Sequence, residues 1–207
     1  MIMLNVSANK EEANTMAVVA IGTSTGGPRA LQEILPLIPA DIPASFVIVQ
    51  HMPAGFTKSL AERLNSLSDI TVKEAEAGDI LKPGWAYIAP GDRHMLFDKL
   101  ENGKIKIRLS SEPPVNGHRP CVDVTMKSLS DTRLNNIIGI ILTGMGKDGS
   151  EGIKVLKEKC NCYTIAQDEK SSTVYGMPRA AVQTGAVDTV LPLGKIADEI
   201  IKYLGGA

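Results

Sequence analysis

Aromatic residues make up only 4% of the 207 positions, tryptophan occurs once, and cysteine three times. So few cysteines, and an odd number, exclude a disulfide framework and fit a reducing cytoplasm. Cys160 and Cys162 are one residue apart and no second Cys/His pair stands at zinc spacing, which speaks against a structural zinc. Charge of one sign is missing too. With 22 basic and 23 acidic residues the net charge is −1, so no basic field points to nucleic acid or an anionic membrane. No apolar run approaches the roughly 20 residues of a membrane helix. The opening MIMLNVSANKEEANTM is polar, with charges of both signs, and lacks the basic start and apolar middle of a secretory signal. The expectation is a cytoplasmic protein without membrane insertion. What the chain does have is 43% hydrophobic residues against 22% charged, which excludes disorder.

Four short apolar runs lack polar alternation: Ala17–Ile21, Ser45–Gln50, Ile137–Leu142 and Tyr163–Ala166. Such runs suit strands covered on both faces, as in a parallel sheet between helices. Segments with helical period lie between them. Leu31, Ile34, Leu35 and Ile38 share a face in Pro28–Ile38, with Pro28 placed for a first turn. Phe56–Leu67, Gly152–Lys159 and Leu193–Leu204 have the same period, and a further helix is expected over about Val122–Arg133. The middle differs. Trp85–Ala89 and Ile105–Leu109 flank an Asn-Gly turn, which predicts an antiparallel excursion across residues 85–109. The fold class is therefore α/β, a doubly wound and mainly parallel sheet with helices on both faces and one hairpin excursion. Residues 1–15 read as a flexible tail and 16–207 as one domain.

Ligands of open parallel sheets bind beyond the carboxyl ends of the strands. Gly22-Thr-Ser-Thr-Gly26 follows the first strand, His51 the second, and Thr143-Gly-Met-Gly-Lys-Asp148 the third. A hydroxyl, a base and a carboxylate to orient the base are the parts of a Ser-His-Asp triad. Ser24 is central in a G-x-S-x-G turn between strand and helix, and the Thr25 and Gly26 N–H groups beside it suit an oxyanion. The pentapeptide alone reads equally as an ordinary Gly-rich strand-to-helix turn, with or without a phosphate in its cradle, although neither G-x-x-x-x-G-K-[ST] nor G-x-G-x-x-G is present. His51 reads equally as a loop-capping histidine. His94 and His118 lie in loops from which either could reach the site. Asp92 reads as a turn residue, Asp168 as a loop residue after the fourth strand, Asp123 as a first-turn helix residue, and Asp148 has ordinary turn chemistry as its rival reading. The order Ser24, His51, Asp148 differs from the Ser-acid-His order of α/β-hydrolases.

IGTSTGGP (21–28), VIVQHMP (47–53), AEAGDILKPGWAYIAPGDRHM (75–95), GHRPCVDV (117–124), ILTGMGKDG (141–149) and AQDEKSSTVYGMPRAAVQTGAVD (166–188) closely resemble the catalytic domain of chemotaxis protein-glutamate methylesterases, the CheB type. The match runs in order over about Val18–Leu204. The resemblance implies a triad on Ser24, His51 and Asp148, and an oxyanion site near Thr25 and Met145. It also implies hydrolysis of glutamate γ-methyl esters on the cytoplasmic helices of chemoreceptors, releasing methanol, with deamidation of receptor glutamines in many members. No metal or organic cofactor is implied. Such proteins usually carry an N-terminal receiver domain, and only about sixteen residues precede the first strand here. The expectation is an open triad, constitutive activity and no control by phosphorylation in cis. Two other classes compete: a catalytically silent module docking on receptor helices, and a phosphate- or nucleotide-binding protein using the Gly22–Gly27 turn. The first is disfavoured by the presence of all three triad candidates. The second is disfavoured by the lack of a phosphate-binding lysine.

Overall fold

Strand β1 (Ala17–Thr23) is buried along its whole length, and its residues divide between two cores. Ala17, Val19 and Ile21 face one helical layer while Val18 and Ala20 face the other, as the two-residue period of a strand requires. A computed structural model describes residues 16–160 and 162–205. The tail expected over residues 1–15 lies outside the described residues.

β1 pairs in parallel with β2 (Ala44–Gln50) on one side and β7 (Ile137–Ile141) on the other. Beyond β2 lie β4 (Trp85–Ile88) and then β3 (Thr71–Glu74). Beyond β7 lie β8 (Tyr163–Gln167) and β9 (Thr189–Leu191), giving the order β3-β4-β2-β1-β7-β8-β9. Every pairing in this sheet is parallel. One core holds the apolar faces of α1 (Gly27–Ile34), α2 (Phe56–Asn65) and α6 (Leu193–Tyr203). The other holds those of α3 (Val122–Asp131), α4 (Ser150–Cys160) and α5 (Met177–Gln183). The chain leaves β1 toward β2, and β7 lies on its far side. The switch in strand order thus falls at the carboxyl ends of β1 and β7, where such sheets bind ligands.

The doubly wound class is as expected, but the excursion is drawn differently. Trp85–Ile88 belongs to the main sheet between β2 and β3, with Ala86, Tyr87 and Ile88 at most 1% exposed. The hairpin is instead β5 (His94–Lys99) with β6 (Ile105–Ser110), and it buries Met95, Phe97, Ile105 and Ile107 on the α3 face.

The loop after β2 is fixed from outside. Gly91 approaches it so closely that a Cβ there would lie 2.4 Å from the Ala54 nitrogen and the Pro53 carbonyl carbon. Backbone cannot yield as a flexible side chain does. Gly91→Ala should therefore cost about 1–3 kcal/mol of stability, read as a lowered midpoint in urea unfolding. An unchanged midpoint would mean that this contact is not close-packed.

Candidate active site

Ser24 follows β1 in a turn where Gly26 takes φ 84°, the left-handed region that glycine enters without strain. The Ser24 N–H donates to the Thr143 carbonyl at 3.0 Å and the Gly27 N–H donates back to the Ser24 carbonyl at 2.8 Å, which closes the turn. Thr143 Oγ donates to the Thr25 carbonyl at 2.8 Å, tying the elbow to the end of β7. Among the described residues the N–H groups of Thr25, Gly26 and Met145 have no acceptor. Thr25 and Met145 are exposed, so their donors open on the cleft.

His51 stands at the end of the neighbouring strand, its N–H donating to the Thr23 carbonyl at 3.1 Å. Its Nε2 lies 2.7 Å from Asp148 Oδ2, and the two side chains are only 8% and 2% exposed. Nδ1 is buried without a partner. An Nε2–H donated to the carboxylate leaves the lone pair on Nδ1, the reverse of the arrangement in which Nδ1–H meets the acid. No hydrogen bond joins Ser24 Oγ to the ring among the described residues, and such bonds often tighten only with substrate in place. The structure thus brings His51 and Asp148 into contact, with Ser24 on the adjacent strand end.

Asp148 is held by more than histidine. Its carboxylate accepts the Val122 N–H at 2.7 Å, the Asp123 N–H at 3.0 Å and the Cys121 thiol at 3.1 Å. The two amides are the first of α3, where the helix dipole favours an anion. Asp123 does the same for the opposite helix, accepting the N–H groups of Gly149 at 2.9 Å and Gly152 at 2.7 Å at the start of α4. Asp148 thus caps the helix that carries Asp123, and Asp123 caps the helix that follows Asp148. Burial alone would raise the Asp148 carboxyl, but these four donors outweigh it and hold it at about 2. Asp123, with less compensation, is pushed up by its burial. Burial and the Asp148 charge push the Cys121 thiol to about 12, so it remains a donor.

His118 stacks on His51, with ring centroids 3.9 Å apart and planes 6° from parallel. Burial and the neighbouring His51 ring push its ionisation down. His94, in contrast, is buried as the first residue of the hairpin, its Nε2 lying 3.2 Å from the Pro113 carbonyl. It anchors the loop that carries His118 and does not reach the site. Asp92, in a turn as expected, pairs with Arg119, and Asp168, in the loop after β8 as expected, accepts from the Ser171 N–H and hydroxyl. Clefts of about 270 Å³ beside His51 and His118 and about 330 Å³ beside Gly26 and Thr143 flank the elbow. No cluster of three or more metal-ligating side chains occurs among the described residues. No helix among them is long and apolar enough to cross a membrane.

Sequence reasoning missed the Cys121 thiol, the exchange of helix caps and the histidine stack. The first-turn placement of Asp123 is a signal for the caps, and the loop position of His118 is one for the stack.

A family model described as CheB methylesterase matches residues 19–200. A protein-glutamate methylesterase/protein-glutamine glutaminase of Geobacillus kaustophilus is 52% identical over 189 residues, covering 91% of this chain and 54% of that protein. One of the same name from Archaeoglobus fulgidus is 48% identical over 186 residues, covering 90% of this chain and 53% of that one. The chain thus spans about half the length of these relatives. The crystal structure of the Thermotoga maritima CheB methylesterase catalytic domain superposes with a TM-score of 0.87 at 46% identity, over 90% of this chain and 98% of that one.

Proposed function

The chain belongs to the CheB methylesterase family, and from that premise we propose that residues 16–207 form a catalytic unit hydrolysing glutamate γ-methyl esters on the cytoplasmic helices of chemoreceptors. Ser24 is the nucleophile, His51 the base and Asp148 its orienting carboxylate. The reading rests above all on the 2.7 Å His51–Asp148 pair, which leaves Nδ1 without a partner. Nδ1 takes the hydroxyl proton as Ser24 Oγ attacks the ester carbonyl. The charge that develops on the carbonyl oxygen meets the unengaged N–H groups of Thr25, Gly26 and Met145. Collapse returns the proton from His51 to the departing methoxide, releases methanol and leaves a glutamyl ester of Ser24. Water, deprotonated by the same nitrogen, then frees the glutamate and restores the serine. With a glutamine substrate the leaving group is ammonia and the steps are otherwise the same. Asp148 stabilises the imidazolium formed in each half-reaction. The reaction takes place in the cytoplasm and uses neither metal nor organic cofactor.

Incubation with methyl-esterified receptor should release methanol, and a fluorophosphonate should label one residue, Ser24, as mapped by peptide mass spectrometry. Labelling without methanol release would remove the substrate assignment, and labelling elsewhere would remove the nucleophile. His118→Ala takes packing from one face of the imidazole but leaves the lone pair and the carboxylate in place. Its kcat should fall by no more than about tenfold, against about a thousandfold for His51→Ala. Equal losses would mean that His118 shares the proton transfer.

A further inference from the structure

Gln50, the last residue of β2, is 2% exposed and pairs in register with Thr23. Its amide nitrogen donates to the Ser24 carbonyl at 3.1 Å and to the His51 carbonyl at 2.9 Å. One side chain therefore bridges the peptide units that carry the hydroxyl and the imidazole. The amide oxygen is buried with no partner. It lies against Gly27, where a Cβ would come within 2.0 Å of it. A buried amide oxygen without a donor is unfavourable, and an apolar side chain of the same length would avoid that penalty. What the amide adds is the bridge.

We propose that Gln50 is a positioning residue that sets the alignment of Ser24 Oγ with His51 Nδ1. The inference rests on the reading of these two as nucleophile and base. The Ser24 carbonyl also accepts the Gly27 N–H at 2.8 Å, so its peptide plane is pinned from two directions. On the other side the His51 N–H is bound to the Thr23 carbonyl, and Gln50 takes up the His51 carbonyl. The backbone orientation of both residues is thus tied to one amide group. A misplacement of about 1 Å between reacting groups costs about a hundredfold in rate, so a device that fixes this distance acts on kcat.

Two variants separate alignment from packing. Gln50→Met keeps the length, fills the space and donates nothing. Gln50→Glu, buried and facing two carbonyl oxygens, stays protonated and donates one O–H. Packing ranks methionine above glutamic acid, whereas bridging ranks them the other way. On methyl-esterified receptor, kcat per folded molecule should fall at least about tenfold in Gln50→Met and less in Gln50→Glu, with KM within about twofold of wild type in both. Thermal midpoints should rank in the opposite order. The folded fraction is counted by circular dichroism, and the rate of fluorophosphonate labelling at Ser24 gives the same ranking without receptor. If kcat follows the thermal midpoints, or Gln50→Met matches wild type, the bridge is only structural and the inference is overturned. If the wild type neither releases methanol nor labels at Ser24, the proposed function falls and this inference with it. Wild-type activity with the packing order of variants removes the inference alone.

Discussion

Ser24→Ala should give a folded protein with at least about a thousandfold less esterase activity. The hydroxyl is the only group lost, and it makes no hydrogen bond among the described residues. Every hydrogen bond that Ser24 makes uses its own backbone: its N–H to Thr143, and its carbonyl from the Gly27 N–H and the Gln50 side-chain amide. Alanine keeps all three, so the thermal midpoint should stay within about 2 °C of wild type, as for a substitution away from packed or polar contacts. The comparison is methanol release at saturating substrate, with circular dichroism as the control on folding. Residual activity should come from the oxyanion donors and from binding, which remain without a nucleophile. Wild-type turnover in the variant would shift the role to Thr23 or Thr25. Thr23 is a poor substitute, being buried with its hydroxyl donated to the Thr143 carbonyl at 3.0 Å. Thr25 is exposed, and its loss in a double variant would then decide the matter.

The sheet was legible where strands are long and doubly covered. β1, β2, β7 and β8 each appear in the sequence as a mainly apolar run without polar alternation, and the segments after three of them carry Ser24, His51 and Asp148. Strands near the edges carry less signal. β3 (Thr71–Glu74) has one buried residue, Val72, in four positions, and β9 (Thr189–Leu191) has only three residues. β4 has a buried run of its own, but its nearness to the Asn-Gly turn drew it into the hairpin. Only pairing with both β2 and β3 shows where it belongs. Within the site, the nearness of His51 and Asp148 was readable because a strand end fixes position. Their orientation was not. Which imidazole nitrogen meets the carboxylate depends on where α3 brings its first amides, about 26 residues before Asp148, and no local pattern encodes that crossing. The stacking of His118 likewise requires a loop returning from the hairpin to lie over the end of β2.

Asp148→Asn should lose both rate and stability, and the two losses have separate causes. Rate falls because the carboxamide can no longer both accept the Nε2–H and stabilise the imidazolium. About ten-thousandfold in kcat is the scale for such a change in a serine triad. Stability falls because the Val122 and Asp123 amides and the Cys121 thiol all donate to this side chain. An asparagine oxygen can take some of them, but its NH2 then faces a donor in a site only 2% exposed. The pH dependence identifies the charge. Asp148 is held at about 2 when folded, below the ordinary carboxylate value near 3.8. Its contribution is therefore complete above the unfolded value and is lost as pH falls through the folded one. The difference corresponds to about 2 kcal/mol. Asp123 works in the opposite sense, since burial raises its carboxyl and the Asp148 charge adds to that rise, so replacing Asp148 also relieves its neighbour. Urea unfolding of wild type should accordingly weaken between about pH 5 and pH 2, and Asp148→Asn should be less stable at pH 7 with a shallower acid limb. Parallel pH profiles of stability for the two proteins would show that the carboxylate at 148 is not the group whose ionisation the helix amides support.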